Sequence, residues 1–284
     1  MKVLITGAEG QLGRALQISS PKGCPIYPLN SKECCVTEAE LVDAYLKKIR
    51  PDVVVHCAAY TAVDRAEIEQ DLCYQINVAG TQNVAAACEK YGAAMMLLST
   101  DYVFDGVGTE PYEVNSHRKA INQYGQSKIA AEDIAGQISK HFIIRTSWMF
   151  GDGNNFIKAV CRAGRTRSCV DIVSDQIGSP TYSEDLAPAL YKLAEERKYG
   201  VYHITNEGYC SWAELAQRSF QLLHIETPIR CVTTAQYGSP AKRPLNSRLS
   251  KKSLDLVGCN RLPPWEDALV RYIEKFGDSI CSIN

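Results

Sequence analysis

The chain opens on a short apolar run, Lys2-Val3-Leu4-Ile5-Thr6, that leads straight into a glycine turn. Downstream, apolar runs of strand length alternate with stretches whose apolar residues recur every three or four positions. This pattern predicts strands at 2–6, Ile26–Leu29, 52–57, 94–98 and 142–146, and helices over Gln11–Ile18, 38–49, 71–91 and 124–138. In 38–49 the apolar stripe is Leu41, Val42, Tyr45, Leu46 and Ile49, while 71–91 stops at Gly92, a helix-ending residue. Val53-Val54-Val55 and Met95-Met96-Leu97-Leu98 are apolar throughout, which suits strands covered by helices on both faces. Strand–helix alternation with short links implies right-handed βαβ units, hence an α/β fold with a Rossmann-like, doubly wound parallel sheet.

After Ser147 the texture changes. Gly151-Asp152-Gly153-Asn154-Asn155 and the segments 164–168, 174–181 and 237–249 are polar or marked by glycine and proline, and read as ordered loops. Short helices are predicted at 183–197, 211–223 and 264–276, with a strand at 201–205. The expected division is therefore a dinucleotide-binding domain over 1–148 and a smaller α/β substrate-binding lobe mainly over 149–284, with later segments free to return to the first.

Composition narrows the function. A formal net charge of -1 supplies no basic field for nucleic acid, and no apolar run reaches the roughly twenty residues of a membrane span. The twelve cysteines are scattered and form no C-x-x-C pair. With no signal-peptide pattern at the start, they are expected to be reduced thiols in a cytoplasmic protein. His56, His117, His141 and His203 lack a carboxylate or thiol at ligand spacing, and His56 reads as a packed or capping residue.

Candidate chemistry begins at Gly7-Ala8-Glu9-Gly10-Gln11-Leu12-Gly13. Between a first strand and a first helix, this spacing permits a sharp turn, close approach of a pyrophosphate and tight helix–sheet packing. An acidic residue ending the second strand would favour a ribose 2′-hydroxyl over a 2′-phosphate. Asn30 stands there, followed by Ser31 and Lys32, which favours NADP(H) and leaves NAD(H) open.

Tyr124-Gly125-Gln126-Ser127-Lys128 sets a phenol and an ammonium one helical turn apart. The ammonium is expected to lower the phenol pKa and make it a usable acid–base group, although an exposed i,i+4 pair would look the same. Thr100, in Ser99-Thr100-Asp101-Tyr102, follows an apolar strand at the sheet edge where open α/β folds bind ligands. Its hydroxyl is placed to bond a substrate oxygen or the Tyr124 phenol; a plain Ser/Thr turn is the competing reading.

With these residues the chain resembles the extended short-chain dehydrogenase/reductases, and among them the dTDP-4-dehydrorhamnose reductase family, nearly end to end. The resemblance is carried by the glycine turn, Arg50-Pro51-Asp52, the stretch from Cys57 to Asp64, that from Ser99 to Gly106, and that from Tyr124 to Lys128. It continues through Arg145-Thr146-Ser147-Trp148, Gly153-Asn154-Asn155-Phe156, the stretch from Asp175 to Thr181, and Arg243-Pro244 before Ser247.

It implies reduction of the 4-keto group of a dTDP-4-keto-6-deoxy sugar, with Tyr124 as proton donor and Lys128 on the nicotinamide ribose. It also implies a cofactor bound along Gly7, Gly10, Gln11, Leu12, Gly13, Asn30, Ala58, Ala59 and Tyr60. Thr100, Asp101 and Trp148 would contact the sugar, and Asn155 and Arg243 the nucleotide-sugar phosphates.

Three departures stand out. Asn30 and Cys35 occupy places where relatives often carry aspartates, and Asn115-Ser116-His117-Arg118-Lys119-Ala120 lacks the proline that usually precedes the tyrosine. Ala15 replaces a glutamate that helps some relatives hold a divalent metal between subunits, so a metal-bridged dimer is not expected, while Mg2+ dependence and a homodimer stay open. Two other readings remain: a sugar-nucleotide epimerase or dehydratase, which returns its cofactor, and a non-catalytic NADP-binding regulatory subunit.

Overall fold

The computed structural model describes residues 1–281. Its centre is a six-stranded, wholly parallel sheet built from β1 (Val3–Thr6), β2 (Ile26–Leu29), β3 (Val53–His56), β4 (Ala94–Thr100), β5 (His141–Thr146) and the strand Gly200–His203. The order across the sheet is β2, β1, β3, β4, β5, Gly200–His203. The chain thus moves outward in one direction from β1 to β2 and in the other from β3 onward. Beyond the carboxyl ends of β1 and β3 lies the crevice that such a switch in direction opens.

The continuous apolar runs occupy the middle of the sheet because both its faces are covered. One face packs helix Gln11–Ile18 against helix Ser183–Glu196, burying Leu12, Leu16, Leu186 and Leu190 with Val3, Ile5, Val55 and Met96. The other packs helices Ala39–Ile49, Gly80–Tyr91 and Gln123–Ala135, burying Val42, Leu46, Val84 and Ala131 with Leu4, Val54, Met95 and Leu97. Strand β4 runs two residues past its predicted end because Ser99 and Thr100 pair with Arg145 and Thr146 of β5. Thr100 is thereby held on a rigid strand end.

A second core gathers helices Phe156–Thr166, Trp212–Leu222 and Trp265–Cys281 around Ile157, Val160, Phe220, Leu269 and Tyr272. Short strands stitch it together: Val170–Val173 with Ile229–Val232, and Ile177–Gly178 with both Cys210–Ser211 and Asn246–Ser247. Residues beyond 148 thus contribute both to this lobe and, through Ser183–Glu196 and Gly200–His203, to the main sheet. Among the described residues no helix is long and apolar enough to cross a membrane.

Candidate active site

The glycine turn is shaped by contacts that tolerate no side chain. Gly7 adopts φ 66°, and a Cβ there would lie 2.7 Å from the Ala58 amide nitrogen. At Gly13 a Cβ would lie 2.5 Å from the Gly7 carbonyl, so helix Gln11–Ile18 starts directly against the turn. That helix has no side-chain cap at Gly10, leaving its first amide groups facing the crevice. The Gln11 Oε1 is buried without a partner among the described residues. An uncapped helix end and a turn without room for side chains together fit a dinucleotide pyrophosphate.

The turn forms one wall of a cleft of about 740 Å³, which also takes in Ala59, Thr100, Asp101, Tyr124, Lys128 and Trp148. Helix Gln123–Ala135 reaches the strand end because Gly125 carries no side chain: a Cβ there would stand 2.3 Å from the Tyr102 carbonyl. Asn122 caps this helix by accepting from the Gly125 N–H at 2.7 Å. Lys128 is buried and its Nζ donates to the Leu98 carbonyl at 2.6 Å; burial pushes its pKa down to about 8.

Tyr124 departs from expectation. Burial, and next the Asp101 carboxylate, push its phenol well above the ordinary range, with the Thr100 hydroxyl opposing. Lys128, turned to the Leu98 carbonyl, does not lower it here. The phenol therefore holds its proton firmly at neutral pH, which is the form a proton donor needs at the outset.

The model of the family described as "RmlD substrate binding domain" matches residues 1–277. This chain belongs to that family. It is 37% identical over 284 residues to the dTDP-4-dehydrorhamnose reductase of Aggregatibacter actinomycetemcomitans, covering 94% of this chain and 97% of the relative. It is 39% identical over 277 residues to the spore coat polysaccharide biosynthesis protein SpsK of Bacillus subtilis, covering 96% and 97%. A crystal structure of dTDP-4-dehydrorhamnose reductase from Bacillus anthracis in complex with NADP superposes with a TM-score of 0.94 at 42% identity, covering 96% of this chain and 99% of that one.

Within this RmlD-family chain, several residues singled out from the sequence lie away from the cleft wall. Asn30 bends back on its own loop, its Oδ1 accepting from the Lys32 and Glu33 N–H groups at 2.9 and 3.0 Å. The Glu33 carboxylate in turn accepts from the Asn30 N–H at 3.1 Å, which brings an acidic group to the end of β2 after all. Ala58 donates its N–H to the Thr6 hydroxyl, and the Tyr60 hydroxyl donates to Glu69 at 2.5 Å.

Asn155 spends its side chain on structure: its Oδ1 caps helix Phe156–Thr166 at the Lys158 N–H, and its Nδ2 donates to Gly151 O and Tyr272 Oη. Arg243 forms a two-pronged ion pair with Asp64, at 2.9 and 2.7 Å. Trp148, by contrast, lies on the cleft, held at φ 48° with its ring stacked 3.7 Å from that of Trp212. His56 is the packed residue expected, its ring between the Thr6 and Thr81 hydroxyls.

Two residues were given no role from the sequence. Asn77 is buried, clamps the Tyr60 peptide by accepting from its N–H at 2.8 Å and donating to its carbonyl at 3.1 Å, and donates to the Ser127 hydroxyl at 2.9 Å. Ser247 donates to Asp101 at 2.5 Å across 146 residues of chain. An asparagine on the inward stripe of a helix was a usable signal for the first. For the second there was none.

Proposed function

We propose that this protein is an NADP(H)-dependent sugar-nucleotide reductase that converts dTDP-4-dehydro-L-rhamnose to dTDP-L-rhamnose. The single observation that carries the reading is the convergence of a proton-loaded, buried Tyr124 with Lys128 and Thr100 in the cleft that begins at the glycine turn. The names of the relatives and the bound NADP of the Bacillus anthracis structure support the substrate and the cofactor.

Gly10, Gln11, Leu12 and Gly13 would hold the cofactor pyrophosphate on the helix end, with Ala59 flanking it. When bound, NADPH supplies the hydride. Tyr124 donates its proton to the C4 oxygen of the sugar, where negative charge develops. The buried Lys128, anchored on the Leu98 carbonyl at the floor of the same cleft, would hold the nicotinamide ribose. The aromatic face of Trp148 supplies an apolar wall for the sugar ring.

An epimerase or dehydratase of this fold would return its cofactor oxidised or reduced as it began. Asp101 has no adjoining carboxylate with which to share such chemistry, since Tyr102 follows it. The test is to follow NADPH and NADH oxidation separately with dTDP-4-dehydro-L-rhamnose. One cofactor should be consumed per sugar reduced, and Tyr124→Phe should bind dinucleotide yet lose roughly 100-fold or more in kcat. Cofactor returned unchanged, or a Tyr124→Phe enzyme of full activity, would overturn the assignment.

A further inference from the structure

Segment 241–250 threads across the catalytic end of the sheet and is fastened at each step. The Ala241 N–H donates to Asp64 at 3.1 Å, the Lys242 carbonyl accepts from Asn122 Nδ2 at 2.8 Å, and the Asn246 N–H donates to the Gly106 carbonyl at 3.1 Å. At Ser247, 2% exposed, the hydroxyl donates to Asp101 Oδ2 at 2.5 Å. The other carboxylate oxygen, Asp101 Oδ1, accepts from Thr100 Oγ1 at 3.0 Å. Thr100 Oγ1 accepts in turn from the Tyr102 N–H at 3.2 Å.

A hydroxyl has one proton and two lone pairs. With its proton on Asp101 and one lone pair on Tyr102, the Thr100 oxygen has a single acceptor site left, and Tyr124 lines the same cleft beside it. Both Asp101 oxygens are engaged inside the protein, and the side chain is 3% exposed.

We propose that Asp101, fastened by Ser247, is a positioning residue that sets the direction of the Thr100 hydroxyl and through it orients the Tyr124 phenol, instead of serving as a ligand of the sugar. This rests on the reading of Tyr124 and Thr100 as the reacting pair given above. The chain Ser247–Asp101–Thr100–Tyr124 therefore ties the C-terminal segment to the proton donor. It needs Asp101 ionised: a protonated Asp101 must itself donate, which competes with the inward donors and loosens the direction of Thr100.

Burial raises the Asp101 carboxyl to about 6, and the hydrogen bonds from Ser247 and Thr100 oppose that rise. The titratable groups facing it are Tyr102 on its own turn and Tyr124 from helix Gln123–Ala135. Arg243, from segment 241–250, is committed to Asp64, and Lys128 is turned to Leu98. Among the described residues no cation forms an ion pair with Asp101.

The experiment compares the pH profiles of kcat and KM for Ser247→Ala, Asp101→Asn and the unaltered enzyme, with dTDP-4-dehydro-L-rhamnose as substrate. NADPH fluorescence titration and thermal melting confirm binding and folding independently of turnover. The unaltered enzyme should lose kcat below about pH 6. Ser247→Ala removes a bond that favours the ionised form, so its acid limb should move to higher pH and kcat should fall roughly tenfold, with KM within about twofold. Asp101→Asn, which keeps an acceptor for Thr100, should abolish the limb.

A Ser247→Ala enzyme with an unmoved limb and kcat within twofold would overturn the proposal. So would an Asp101→Asn enzyme whose loss lies in KM, as a direct sugar contact demands. Should Ser247→Ala fail to fold, the Asp101→Asn profile decides alone. Failure of the reductase reading itself shows separately, as a Tyr124→Phe enzyme that retains its turnover.

Discussion

At the scale of single residues, two glycines of one motif do different work and separate experimentally. A methyl group at Gly13 would meet the Gly7 carbonyl at 2.5 Å and the Ala8 Cα at 2.7 Å, backbone atoms that cannot turn aside. A methyl at Gly10 would meet only the Gly7 carbonyl, at 3.3 Å. Gly13→Ala should therefore cost about 2–3 kcal/mol of stability, the scale of an overpacked site, and lower the melting temperature by several degrees. Gly10→Ala should melt close to the unaltered protein but bind NADPH more weakly, because the added methyl stands where a pyrophosphate must approach. Melting curves and fluorescence titration read the two effects apart; equal loss of stability in both would refute the distinction. That these glycines, Tyr124, Lys128 and Thr100 come together at one cleft was legible because each sits in a short local pattern whose spacing matches one element. Ser247 was not, since its partner Asp101 is set by a crossing of the chain that no local pattern encodes. Asn30 shows the same limit: its polar side chain satisfies its own turn, and the carboxylate that bonds its N–H comes from three residues further on.

Among the elements, most strand and helix ends were readable to within a residue or two. The helix expected to run to 138, however, stops at Ala135, and the one expected over 264–276 runs on to Cys281. The helix expected over 71–91 was not one regular helix. Gln70–Tyr74 and Gly80–Tyr91 are α-helical, but Gln75–Ala79 between them is a π-helical turn. Such a bulge inserts an extra residue into the helical count and is favoured when a buried side chain gains partners by it. Here the gain is at Asn77, which reaches both the Tyr60 peptide and Ser127, while Thr81 donates to the freed Asn77 carbonyl. The bulge thus locks the loop after β3 to the helix bearing Tyr124. Asn77→Ala would strand the half-buried Tyr60 N–H and carbonyl and take a donor from the buried Ser127 hydroxyl, each unsatisfied group costing up to about 1–3 kcal/mol. The expected result is a drop of roughly 2–4 kcal/mol in urea unfolding together with weaker dinucleotide binding. A loss below 1 kcal/mol would mean that the bulge does not depend on this residue. The two-residue strands such as Ile177–Gly178 and Asn246–Ser247 could not have been found from sequence, because a pair of residues has no period.

For the molecule as a whole, burial of ionisable side chains around the sheet fixes how stability depends on pH. His56 and His203 are buried at 1% and 0% exposure, and burial first, then Lys128 beside one and Arg145 beside the other, pushes both down to about 3. Unfolded, each imidazole titrates near ~6.5. Between those values the unfolded chain carries protons that the native chain lacks, so stability is full above about 6.5 and is lost as the pH falls. Asp101 acts in the opposite sense, because its native carboxyl is raised to about 6 from 3.8, and between those values the native state holds the extra proton. From pH 6 toward 4.5 the unfolded chain therefore takes up about one proton more than the native one, which removes about 1.4 kcal/mol per pH unit. Carboxylates held low by ion pairs, such as Asp64 beside Arg243, add their loss only at lower pH. The urea midpoint should fall steadily across this window. Asp101→Asn should steepen the fall toward two protons, and His203→Gln should make it shallower. A midpoint independent of pH between 6 and 4.5 would mean that the two imidazoles take protons while still folded, and that the space around them is wetter than their burial implies.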